Sequence, residues 1–334
     1  MAIGLHTDFR VFDEQFYGGM NEVLQQEANV FNAASKNAIR LVTRASRGHF
    51  DEEAFFDAIT TLVTRRDIAS SAAATDAPLT SDEWKRPKVN RKIGPVANTI
   101  DSLRKISSSP ERFSFLLGQQ AAQAKMEDWL NTLLICGTTT FQKNTTGGPS
   151  GLGTFIDKSG AAGNTLEYSF LVDGLSTFGD KASRIVAWVL HSKAVNDLLK
   201  ESITIVTDRV AGATIFEGVA GSLGRPLIVT DSTELVNTDG ITSGTDSFFT
   251  LGLTADGLVA IDSEDDQIVS DLITGLENLV MRFQGEFAYN VGVKGYTYTD
   301  STVNATDAAL GTAGNWTQQM ANLKSTGGFI IEHA

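Results

Sequence analysis

The triplet Ser109–Pro110–Glu111 starts the element that most constrains this fold. Serine suits an N-cap, proline the first helical position, and an acid the first turn, where unpaired N–H groups collect positive potential. The sequence predicts a helix from Pro110 to Cys136, stopping at Gly137. Its 27 residues span about 40 Å at the α-helical rise. Phe113, Leu116, Leu117, Met126, Trp129, Leu130 and Leu133 form a stripe, not an all-round apolar cylinder. Such a helix is long for a compact domain and reads as a spine on which other elements rest.

Before the spine, residues 1–17 show no clean period but carry Phe9, Val11, Phe12, Phe16 and Tyr17. That many large apolar groups imply docking, on this subunit or a neighbour. Met20, Val23, Leu24, Phe31, Ala34, Ala38 and Leu41 keep helical spacing, which predicts a long helix. Ser46 to Phe50 breaks it. Asp51–Glu52–Glu53 then suits a new helix start, with Phe55, Ile59, Leu62 and Val63 as its apolar face. Residues 67–83 are small and polar, and residues 84–95 are basic, with Pro87 and Pro95 excluding a helix interior. The stretch 67–95 is expected to be a long, protruding, hairpin-like loop.

After the spine, residues 137–165 are rich in Gly and Thr and read as a loop or hinge. From 166 the pattern is α/β: a helix over 166–178, a buried strand over 184–191, and a helix 193–201 capped by Ser192. A short strand over 226–230 and one or two strands within 247–261 follow. Ser263–Glu264–Asp265–Asp266 reads as the start of another helix. Val269, Leu272, Ile273, Leu276, Leu279 and Phe283 would form its face. Residues 283–298 alternate loosely and suit a strand pair or one long strand. The stretch 301–326 is small and polar, and Phe329–Ile330–Ile331 ends as a strand.

Charge divides the chain. Residues 1–125 hold 16 bases and 15 acids, whereas residues 126–334 hold 11 bases and 25 acids. A net charge of −13 argues against a dedicated nucleic-acid binder, which needs a basic footprint on phosphates. The 42% hydrophobic content excludes wholesale disorder. No signal core and no bilayer-spanning apolar run are present, so a soluble protein made in the cytosol is expected.

No active site emerges. His6, His49, His191 and His333 are scattered, and His191 best suits a hydrogen-bonded strand end. Cys136, the single cysteine, reads as a core hydrophobe. Asp262, Glu264, Asp265, Asp266 and Asp271 are the densest acids. Without an EF-hand pattern they are expected to serve a helix start rather than Ca²⁺. The glycines of 147–153 lack the Gly-Lys-Ser/Thr ending of a phosphate loop. Ser102–Leu103–Arg104–Lys105 lacks the partner motifs of a Ser-x-x-Lys enzyme. No metal or cofactor is expected. The remaining candidate is Lys85, Arg86, Lys88, Arg91 and Lys92 beside Trp84. These bases suit nucleic acid or, given the acidic rear half, an acidic face on a neighbouring copy.

The order of these segments resembles the major capsid proteins of tailed bacteriophages, with the Hong Kong 97-type α+β fold. The resemblance rests on GHFDEEAFFDAITTLVTRRDI (48–68), KVNRKIGPV (88–96), the spine 110–136, RIVAWVLHSKAVNDLL (184–199) and LGRPLIVTDS (223–232). It implies an N-terminal arm over 1–47, an extended loop over 48–96, and a peripheral domain over 97–165 and 264–310. The apical domain would comprise 166–263 and 311–334. It further implies a non-enzymatic virion shell of hexamers and pentamers around double-stranded DNA that is held without tight specific binding.

A portal, a separate scaffolding protein and a decoration protein are partners the resemblance brings with it. The scaffold is expected to be separate because the arm reaches the loop too soon to include one. Some relatives crosslink subunits through Lys and Asn; no reactive Asn is marked here, so noncovalent assembly is expected. The inter-subunit contacts are expected at Phe9, Phe12, Phe16, Trp84, Lys85, Arg86, Lys88, Arg91 and Lys92. Alternatives are an encapsulin-like nanocompartment shell and, more distantly, a cytosolic α/β enzyme.

Overall fold

The fold was read from a computed structural model. It describes residues 6–334 except 57–62, 64, 66–67, 72–80, 107–109, 144–152, 161–164, 210–223, 243–244, 276 and 321. For residues 6–13, 56, 103–104, 106, 110–113, 202–209, 239 and 242 the description covers the backbone alone. The proposed N-cap Ser109 and the Gly-rich 147–152 stretch lie outside the described residues.

The chain opens with helix α1 (His6–Ala34) and strand β1 (Ile39–Thr43). The helix expected to reach Leu41 thus ends seven residues earlier. Lys36 and Asn37 take positive φ, 52° and 57°, which breaks the helical path. Asn32 then fastens the turn: its side chain accepts from Leu41 N (2.9 Å) and donates to Leu41 O (2.8 Å). The Asp51–Glu53 segment is not a helix start either. It lies in β2 (Phe50–Phe56), which pairs antiparallel with the 19-residue β3 (Ser81–Thr99). The strands described within 50–99 therefore form an antiparallel pair, the hairpin β2–β3, in the stretch expected to be the extended loop.

A short helix, α2 (Ile100–Ile106), leads to the spine α3 (Pro110–Gln142), about 50 Å long. It runs through Gly137 because that glycine is needed for packing, not for stopping. A Cβ there would lie 3.2–3.3 Å from the side chains of Leu258 and Leu251. Thr138 and Thr140 donate their hydroxyls to Leu134 O and Cys136 O one turn back.

Next come β4 (Phe155–Asp157), α4 (Tyr168–Phe178), β5 (Ile185–Leu190), α5 (Ser192–Arg209) and β6 (Leu227–Val229). His191, not Ser192, closes the start of α5: its carbonyl accepts Val195 N–H and its Nδ1 accepts Lys193 N–H (3.2 Å). The remaining strands are β7 (Val236–Thr242), β8 (Thr245–Thr254), β9 (Leu258–Asp262), β10 (Gln267–Ile273), β11 (Val280–Val293), β12 (Tyr296–Tyr298), β13 (Trp316–Gln318) and β14 (Gly328–His333), with the one-turn helix α6 (Asp307–Leu310) before β13. The helix expected over 263–283 is instead β10 and the start of β11. Ile268 and Phe283 turn inward against α1 and α3, which selects the two-residue alternation over the helical spacing the same residues also satisfy.

Of the two larger sheets, the first has the order β1-β9-β11-β3-β2, with β10 added on β11, and the second has the order β4-β14-β8-β5-β6, with β7 on β8; β12 and β13 pair as a separate two-stranded sheet. The chain leaves the second sheet at Thr254 and enters the first at Leu258, so β9 sits apart from β8, its neighbour in sequence. The spine joins the two sheets. Leu133, Leu134, Cys136 and Phe141 share one core with Leu258, Tyr289 and Val291 of the first sheet and Val189, Leu251 and Ile330 of the second. A second core packs α4 against Trp188, Phe329 and Ile331. A third seats Phe16, Met20 and Val23 of α1 on Ala121 and Ala122 of α3.

Candidate assembly surface

The hairpin β2–β3 carries most of the residues expected to touch neighbours, and the structure turns many of them toward their own subunit. Lys88 is 2% exposed. Its Nζ donates to Ser46 O (2.9 Å) and Glu264 Oε1 (2.8 Å). Arg86 donates to Asp51 (3.0 Å) and Glu53 (3.1 Å) on the partner strand, and Arg44 adds a bond to Asp51. Arg91 bridges Asp128 of α3 (3.1 Å) and Asp307 of α6 (2.6 Å). Lys85 lies 3.7 Å from the ring centre of Phe50. Trp84 is half-buried and packs on Phe55 at 4.7 Å between ring centres. Of the five bases, Lys92 alone is exposed with no ion pair among the described residues.

Phe16 is also an internal residue, 1% exposed and 5.1 Å from the Phe283 ring centre. Apolar packing against α3 and β11 therefore holds it within the subunit, as ion pairing holds Lys88. The side chains of Phe9 and Phe12 lie outside the described residues.

The bases of the front half meet the acids of the rear half inside one chain. Arg40 pairs with Asp256 (3.2 Å), Lys88 with Glu264, Arg91 with Asp307, and Lys125 with Asp262 (3.0 Å) and Asp266 (2.6 Å). Three of the acids expected at a helix start, Asp262, Glu264 and Asp266, are thus counter-ions for two buried lysines. Sequence reasoning overlooked Lys125, since a lone lysine in an apolar helix stripe reads as surface. Its i+4 neighbour Trp129 was the available sign that this position faces the core.

Other chemical candidates resolve into structure. Burial pushes the Cys136 thiol far up, which keeps it protonated in the core. His333 is pulled down to about 4 by burial, and its Nε2 lies 3.0 Å from Thr250 Oγ1. Lys105 pairs with Asp101 one turn away on α2. Among the described residues no group of three His, Cys, Asp or Glu converges to hold a metal. No helix of the described residues is long and apolar enough to cross a membrane.

A groove of about 1790 Å³ lies between α1 and the first sheet, lined by Asn21, Gln25 and Asn29 on one wall and Asp262, Asp265 and Lys92 on the other. It is open, and its lining mixes these polar groups with apolar ones such as Leu24, Val42 and Phe287, unlike the enclosed and mostly apolar pockets that hold small molecules.

Comparison with known structures identifies the architecture. The capsid of Ralstonia phage GP4 is similar with a TM-score of 0.52 and 12% identity, over 89% of this chain and 87% of that one. The capsid of Helicobacter pylori bacteriophage KHP30 gives 0.51 and 10%, over 90% and 88%. Cyanophage Pam1 gives 0.50 and 9%, over 88% of each chain. At such identities the likeness shows the fold, which is the Hong Kong 97 type. No curated protein sequence matches. A family model described as major capsid protein 13-like matches residues 8–330. With almost its whole length inside that match, the chain belongs to the major capsid protein 13-like family, the structural shell proteins of bacteriophage virions.

Proposed function

We propose that the protein tiles a closed icosahedral head as hexamers and pentamers around double-stranded DNA. The observation that carries this reading is the family match over residues 8–330. In this reading the first sheet with α3 is the peripheral domain, and the second sheet with α4 and α5 is the apical domain. The hairpin β2–β3 is the extended loop, and α1 belongs to the arm. The role is mechanical and not catalytic. Assembly proceeds on a scaffolding protein and a portal in the host cytoplasm, and a decoration protein is a further partner.

Many modest interfaces add up in such a shell. The exposed Lys92, the half-buried Trp84, and Phe9 and Phe12 are the contacts we assign to it. The acidic balance of the chain suits a container that holds DNA without adhering to its phosphates. Electron microscopy of the purified protein tests the reading. Closed shells or hexameric and pentameric rings are expected, and a small globular oligomer at every concentration overturns it.

A further inference from the structure

Lys125 of α3 has a fully enclosed side chain. Its Nζ donates to Asp262 Oδ2 at 3.0 Å and to Asp266 Oδ1 and Oδ2 at 2.6 and 2.8 Å. The ring centres of Trp129 and Phe287 lie 4.9 and 5.1 Å away. One positive charge thus faces two carboxylates, and Asp262 Oδ1 is buried without a donor. The same segment holds the amino-terminal helix. Tyr17 of α1 donates its hydroxyl to Asp266 O (3.1 Å) and accepts Ile268 N–H (2.8 Å). The end of β9, the start of β10, α1 and α3 all meet at this cluster.

We propose that this cluster is a proton-operated latch: when Asp262 takes up one proton, the 262–268 segment tightens on Lys125 and, through Tyr17, so does the docking of α1. The charge balance sets the direction. With both carboxylates ionised the cluster carries one excess negative charge in a poorly solvated place. Asp265 adds repulsion on the same turn. Glu264 is drawn off by Lys88 of β3, and Asp128 of α3 by Arg91. Glu286, Lys92, Arg40 and Arg47 line the wider groove. A proton on Asp262 removes the excess. The groove gives it a route, since Asp262 and Asp266 each keep 14% exposure.

Burial, against the opposing pull of Lys125 and with Asp266 and Asp265 adding to it, raises the Asp262 carboxyl to about 6. A carboxyl whose folded pKa lies above its unfolded value of 3.8 is protonated more readily in the folded state. Folding at this cluster is therefore favoured as pH falls through 6, and that gain is lost as pH rises past it. His333 in the second sheet works in the opposite sense. The readout must therefore be local.

Hydrogen exchange of the full-length subunit, corrected for intrinsic rates, provides it. Between pH 7 and pH 5 the opening of α1 and of 262–268 is expected to fall about tenfold. In Asp262→Asn that dependence disappears from both segments. In Asp266→Asn, which leaves Lys125 to Asp262 alone, the midpoint moves to lower pH. The same pH dependence in Asp262→Asn as in the wild type overturns the latch. If Asp262→Asn does not fold, an unmoved midpoint in Asp266→Asn overturns it equally.

Discussion

Gly19 of α1 and Gly118 of α3 sit at the crossing of the two helices, each against the backbone of the other. A Cβ on Gly19 would run into Phe115 O, and a Cβ on Gly118 would run into Phe16 O. The helices therefore touch main chain to main chain, which no residue with a side chain permits. This contact seats Phe16 and Met20 and delivers Tyr17 to the 266–268 segment.

Gly19→Ala and Gly118→Ala are expected to lower subunit stability by about 1–3 kcal/mol through overpacking. A Cβ on Gly18 would meet nothing within 4 Å, and Gly18 is exposed on the same helix. Gly18→Ala should raise stability by up to about 1 kcal/mol through helix propensity. Urea unfolding of the three variants checks the contrast, and equal effects from all three would refute it.

Lys88 and Lys92 lie four residues apart on β3 and should behave as opposites. Lys88→Glu places a carboxylate in an enclosed site beside Glu264 and is expected to cost on the order of 3 kcal/mol. Lys92→Glu, at an exposed position, should change stability by less than about 0.5 kcal/mol. If Lys92 contacts a neighbour, its defect appears in shell yield and not in the melting curve. Thermal unfolding and electron microscopy of the same preparations separate the two outcomes.

Arg91 ties α3 to α6 through a fork that lysine lacks. Arg91→Lys keeps the charge but not simultaneous bonds to Asp128 and Asp307. Both carboxylates are about a third or more exposed, so the expected loss is modest, about 1 kcal/mol. A lysine variant as stable as the wild type would show that charge alone suffices.

His333 sets an acid limit on the second sheet. Its folded pKa, about 4, lies below the ordinary value of 6.5, so the unfolded chain binds the proton first. Stability is therefore lost as pH falls from 6.5 toward 4, by at most about tenfold in the folding equilibrium per pH unit. His333→Gln, which can still bond Thr250, should flatten that part of the profile. Urea midpoints at pH 7 and pH 5 for both proteins measure it.

The spine, α4, β5, β6 and β14 were legible because each has a recognisable period or boundary, although the spine runs six residues past its expected end at Cys136. Ile185–Leu190 is a short, continuous apolar run that suits a buried strand, and Tyr168–Phe178 repeats with helical spacing. The misreadings fell where the local pattern fits two structures. Val269, Leu272, Ile273 and Phe283 satisfy a helix, yet they lie in β10 and β11, paired with each other and with β3. Asp51, Glu52 and Glu53 resemble a helix start but lie in β2, opposite Arg86, Lys85 and Trp84.

The order of elements, the long central helix and the division of charge are properties of the chain itself. They depend on contacts close in sequence, or on composition, and they underlie the resemblance to shell proteins of this fold. Which acid meets which base is a property of the tertiary structure alone. Lys125 is separated by 137 residues from Asp262 and by 141 from Asp266, and Lys88 by 176 from Glu264. No local signal encodes such a pairing, because the energy that fixes it comes from burying α3 between the two sheets. The near-neutral front and acidic rear suggested subunits reaching for one another, and the packing shows that much of this attraction closes within each subunit.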